Sequence, residues 1–397
     1  MPALHRLWHP ARLRRADLAE QLVEREVEPQ AADAAVLDVV GDGVGQPDVP
    51  ITGGNALEFP DVCADELRLD GGAGAVAEDG LHLDGRAKRD LVDEGDELTD
   101  RVAGYAPAWT RLARVYRLLG KYRTEDAGAN LARAEDALNR ALTLNPDLSM
   151  AHNLYAHIDI DRGRAADAMV RLLERARDRG GDAEIFAGLA QACRFCGLLD
   201  ASVAAHALAL EKDPTLATSV MHTYFVMRRY DEVVTSAGAL KGYVFAMSLA
   251  GLGREAEALQ LLDQLERQAH RLPPELLVAA RAFIEGKREA CIAALDMLEE
   301  RSPDAENHYY RARQFAALNE GRKAVSALTR AIDGGYHCSE SLAADPWFDA
   351  MRDEPGFQHL LARAREGWQS AASAFRAAGG PGLLHVDPDA IEQPLRK

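Results

Sequence analysis

Cysteine is scarce in this sequence: five residues in 397, an odd and sparse count. That excludes a disulfide framework and makes a reducing, cytoplasmic setting the default. Long hydrophobic runs are missing too, because no uninterrupted apolar stretch approaches the roughly 20 residues needed to cross a bilayer. A membrane span is therefore not expected. The Arg-rich, acid-free start MPALHRLWHPARLRR has a superficial likeness to an organelle transit peptide. It lacks the apolar core and small-residue cleavage site of a secretory signal.

Basic residues are in deficit, with 46 Lys and Arg against 63 Asp and Glu and a formal net charge of −17. Residues 16–104 hold 23 acids against six Arg or Lys, a balance of −17, and residues 1–15 add four Arg and no acid. The remaining residues 105–397 sum to −4. No segment offers the broad basic face that nucleic-acid binding requires.

Catalytic motifs are absent as well. There is no G-x-S-x-G, no Walker A and no G-x-G-x-x-G in a strand–turn–helix setting, so a chain without enzymatic activity or cofactor is expected. AHNLYAHIDID supplies His152, His157, Asp159 and Asp161, but these do not share one helical face. His152 and His157 are five apart rather than the four of helical two-His metal sites, so no metal is expected. His206 reads as a packed histidine.

What is present divides near residue 105. Upstream, stretches such as AVLDVVGDGVGQPDVPITGG sustain neither the 3.6 nor the 2.0 period and carry too little apolar content to bury a core. Residues 1–104 read as an acidic, disordered arm. The alternative is a non-native coding frame, since Val, Asp, Gly, Ala, Leu and Arg are what GC-rich codons give when misread. Downstream, Ala, Leu and Arg dominate, with apolar residues at three- and four-residue spacing, so an all-α chain is expected.

The helical half repeats. Ala134, Leu138, Ala141 and Pro146 form a pattern that returns as Ala168 and Leu172 and as Ser202, His206, Ala209 and Pro214. It returns again as Ala258, Leu262 and Leu265, as Cys291, Leu295, Leu298 and Pro303, and as Ala324, Leu328 and Ala331. Ala168 to Ser202 is 34 residues and Ala258 to Cys291 is 33. With Trp109, Leu112, Ala113 and Tyr116, and Phe186, Leu189, Ala190 and Cys193, on the preceding helices, the pattern resembles the tetratricopeptide repeat. Small residues at Ala113, Ala190, Ala246 and Ala279 let paired helices approach closely. About seven units fit between 105 and 336, the first with an insertion around YRTEDAGAN and the fourth degraded in its second helix.

The resemblance implies a right-handed α-solenoid. Residues 331–367 are similar to the segment that closes tetratricopeptide regions in bacterial Ser/Thr protein kinases and related multidomain signalling proteins, through Gly335, Tyr336, Asp345-Pro346, Leu360 and Leu361, and 337–378 are expected to form a C-terminal cap. No kinase motif accompanies it. Asp345 is expected to cap a turn opened by Pro346, with Trp347 and Phe348 covering the last unit, a long helix from about 355 to 378 sealing the array, and 379–397 as a flexible tail.

In such a solenoid the first helices line a concave groove, and register places Arg114, Arg117, Asn153, His157, Gln191, Arg194, Arg228, Tyr309 and Arg313 there. Arg and amides suit a protein or peptide partner with acidic side chains. The expected function is a non-catalytic protein-interaction scaffold, the regulatory arm of a bacterial signalling system. The alternative is a small-ligand or thiol-redox sensor using Cys193 and Cys196, the only Cys-x-x-Cys. The repeat register instead makes Cys193 an inward core residue behaving as a small hydrophobe.

Overall fold

A computed structural model of the chain describes residues 104–122, 127–180, 182–236, 242–268, 275–301 and 304–388. The expectations for residues 1–103, for the 123–126 part of the first insertion and for the tail beyond 388 lie outside these residues.

Among the described residues the structure is helical and without strands. The helices come in consecutive pairs: α1 (Ala106–Tyr122) with α2 (Ala127–Leu144), α3 (Ser149–Asp161) with α4 (Ala165–Arg179), and α5 (Ala183–Phe195) with α6 (Leu199–Lys212). The fourth pair is short, α7 (Val220–Val226) with α8 (Tyr230–Thr235), as its degraded pattern implied. Then follow α9 (Tyr243–Gly251) with α10 (Glu255–Gln268), α11 (Glu275–Ile284) with α12 (Arg288–Arg301), and α13 (Ala305–Ala317) with α14 (Gly321–Asp333).

One backbone device makes the pairs. Gly163, Gly197, Arg228, Gly253, Gly286 and Asn319 all have positive φ, and all follow the first helix of a pair. A residue in that conformation reverses the chain, and the amide after it returns to a carbonyl five residues back. Arg164 N to Asp159 O, Leu198 N to Cys193 O and Glu320 N to Phe315 O each measure 2.8 Å. From Gly163 to Gly197 is 34 residues, and Gly253, Gly286 and Asn319 are spaced by 33, so the turns carry the same period as the helices.

Packing follows the small-residue rule. Ala113, Ala190, Ala246 and Ala279 are fully buried, as are Leu138, Leu172, Leu262, Leu295 and Leu328 on the second helices. This is the expected close approach of paired helices.

The C-terminal segment forms α15 (Ser339–Ala344), a 3-10 turn (Pro346–Met351), α16 (Pro355–Ala377) and α17 (Gly380–Leu384). Asp345 caps the turn by accepting from Trp347 N at 3.1 Å, and Phe348 is fully buried while Trp347 is half-buried. The cap does more than seal the last unit. It reaches back to the second and third pairs: α16 packs on α4, and α17 packs on α4 and α6. His337 N donates to Phe195 O at 2.7 Å, and Cys338 Sγ donates to Arg194 O at 3.0 Å. Glycine permits the contact, because a Cβ on Gly335 would stand 2.7 Å from Gly163 O and one on Gly197 2.5 Å from His337 O. A side chain at either place would part the two backbones.

Candidate functional site

The groove expected from the repeat register is largely filled by the chain itself. Helix α13 is buried on every side, from Ala305 to Ala316, with Asn307 alone half-buried. Its first turn is acidic and sits against basic residues from the last turns of α1 and α5. Asp304, its N-cap, pairs with Lys121 at 2.7 Å. Glu306 takes a two-pronged contact from Arg194, with Nε to Oε1 at 2.9 Å and Nη2 to Oε2 at 3.2 Å. Acids at a helix start and bases at helix ends both complement the helix dipoles.

Around this junction the polar groups interlock. Arg117 Nε donates to Asp161 Oδ2 at 2.6 Å, and Lys121 lies 3.7 Å from the same carboxylate. Arg194 Nη1 donates to the Ser219 carbonyl and hydroxyl at 2.9 Å each. His222 Nδ1 is hydrogen-bonded to Tyr310 Oη at 2.9 Å. Further along α13, Arg313 Nε donates to Asp345 Oδ2 at 2.6 Å. Burial works against the Arg313 charge, but Asp345 and the surrounding tyrosines hold the guanidinium protonated above its ordinary range.

Arg117, Gln191, Arg194, Tyr309 and Arg313 are thus interior residues, and the expectation that all nine line one open groove is corrected for these five. Each arginine meets a carboxylate of the chain: Arg194 that of Glu306 on α13, Arg117 that of Asp161 on α3, and Arg313 that of Asp345. Arg228 is exposed and is a turn residue of positive φ. Arg114, Asn153 and His157 stay half-buried on the adjacent helices α1 and α3. Asn153 Nδ2 donates to Glu184 Oε2 at 2.7 Å, whereas its Oδ1 has no hydrogen-bond partner.

The sequence did not single out Glu306, Ser219, Asp345 or Tyr230 as partners of those arginines, nor the Lys121–Asp304 pair or the His222–Tyr310 hydrogen bond. One signal was available. DAENHYYRARQFAA carries charged or aromatic residues all round the helix, a pattern that fits neither an outer helix nor a purely apolar core.

The thiols are packed. Cys193, Cys196, Cys291 and Cys338 are buried and unbridged. Burial pushes Cys193, Cys291 and Cys338 up to about 12 and raises Cys196 strongly as well. A thiol reacts as its thiolate, so these positions resist oxidants and electrophiles in the folded state. Burial also lowers the pKa of His152, His206 and His337. His152 Nε2 contacts Pro146 O at 2.8 Å, and His206 Nδ1 contacts Thr218 Oγ1 at 2.7 Å. Among the described residues no group of three or more His, Cys, Asp or Glu could hold a metal ion, and no helix is long and apolar enough to cross a membrane.

No protein-family model matches the sequence, and neither does any curated protein.

Proposed function

We propose that the chain is a non-catalytic protein-interaction scaffold of the tetratricopeptide kind, acting in the cytoplasm as a regulatory arm of a bacterial signalling system. It binds a protein or peptide with acidic side chains on the inner surface that α13 leaves open. The supporting observation is the difference in accessibility. Arg114, Asn153 and His157 share neighbouring first helices and are half-buried, while Arg117, Arg194 and Arg313 are buried. Guanidinium and amide groups on such a face match carboxylate-bearing peptides.

The test is fluorescence anisotropy with a labelled Glu/Asp-rich decapeptide and the full chain at low salt. Arg114→Glu is expected to weaken binding by about tenfold or more, since a hydrogen bond to a charged group is worth about 1.5–3 kcal/mol. Thermal stability should stay within about 0.5 kcal/mol of wild type. Arg228→Glu serves as the control and should bind normally. Equal binding by Arg114→Glu and wild type contradicts the assignment.

A further inference from the structure

One interior arginine is incompletely used. Arg313 is 1 % exposed, and its guanidinium lies between two aromatic rings, 4.7 Å from the Phe225 centroid and 4.5 Å from that of Trp347. Nε holds Asp345 and Nη2 donates to Tyr230 Oη at 3.4 Å, but Nη1 has no hydrogen-bond partner.

Two neighbours share this condition. Tyr243 on α9 is 2 % exposed, and its hydroxyl is unpartnered. Its ring packs 6.1 Å from the same Phe225, and its phenol feels the charges of Arg313 and Asp345. Gln314 is fully buried, and neither its Oε1 nor its Nε2 has a partner. It follows Tyr310 by one helical turn and so shares the face on which the Tyr310 and Tyr243 rings lie 5.2 Å apart. Buried polar groups are rarely left unpaired, and where protein supplies no partner a water or ligand does.

The charge balance selects the guest. Asp345 already neutralises the guanidinium, so a second anion would enter a poorly solvated space beside a carboxylate. A neutral oxygen acceptor carries no such cost. We propose that Arg313 Nη1, Tyr243 Oη and the Gln314 amide form a buried site for a small neutral molecule of the amide class. The guest's carbonyl oxygen accepts from Arg313 and Tyr243, and its N–H donates to Gln314 Oε1. Trp347, half-buried in the 3-10 turn and stacked 5.0 Å from Phe283, and the half-buried Tyr230 flank the guanidinium. This site is separate from the peptide surface on α1 and α3, and it moves small-ligand binding away from the cysteines.

Thermal unfolding of the full chain, titrated with acetamide and with the isosteric acetate, tests the assignment. Acetamide should raise Tm saturably and acetate should not. The rise should be lost in Tyr243→Phe, which removes only the hydroxyl, and in Gln314→Leu, which removes the amide if the first variant folds poorly. An absent or non-saturable shift, or an equal shift in both variants, overturns the proposal. A shift with acetate alone overturns the neutral class, and a crystal structure grown in acetamide that holds only water at Arg313 Nη1 overturns the site.

Discussion

His157 on α3 and Gln191 on α5 hold the same place in successive pairs, 34 residues apart, yet His157 is half-buried while Gln191 is 1 % exposed. What differs is the occupant. One turn beyond Gln191 on the same helix, Arg194 is met by Glu306 from a helix 112 residues further on. A repeat position therefore specifies direction, and the distant chain decides whether that direction is surface or core.

Arg194 is where the comparison breaks most sharply. Removing one partner of a buried pair leaves the other charged and unsolvated, so Arg194→Ala or Glu306→Ala should each cost about 3–5 kcal/mol. Replacing both with Met should recover most of the loss, because apolar pairs substitute well for buried ions. Urea unfolding measures both, and a loss below about 1 kcal/mol for either single variant would place Arg194 with the open face.

The backbone contact that joins the far pairs comes next. Gly335 has φ of +84° and stands against Gly163. Gly335→Ala adds a left-handed alanine, worth about 1–2 kcal/mol, together with the clash at Gly163 O. A Tm equal to wild type would show that the junction is loose.

The smallest effect is with pH. Burial holds His206 and His337 below their ordinary 6.5, so below that pH the unfolded chain binds more protons than the folded one. Stability should then fall as pH drops from 6.5, because it rises with pH wherever the unfolded state is the more protonated. His337→Gln should flatten that slope. The ring of His337 packs against Gly367 near Arg363, whose charge adds to the lowering. An unchanged slope removes His337 from the account.

Local features were legible in the sequence. Helix pairing, the buried alanines, the shortened fourth pair, the Asp345 cap and the packed Cys193 all follow from periodicity, propensity and spacing within about 35 residues. The enclosure of Arg194 and Arg313 was not legible. It depends on Glu306, Ser219, Asp345 and Tyr230, which no local rule brings to those arginines. Nor does spacing reveal that Gly163 meets Gly335, because the first glycine is already explained by its own turn and only the folded chain adds the second reason.

The claim on which these contrasts rest is that α13 fills the inner face as core. Native-state hydrogen exchange of the full chain measures it directly through the amides of Ala305–Ala317. The account predicts that they exchange only with global unfolding, together with those of residues 188–195 of α5, because both stretches are buried. Exchange of α13 through a separate, lower-energy opening while α5 stays protected would contradict it and return Arg194 and Arg313 to an accessible groove.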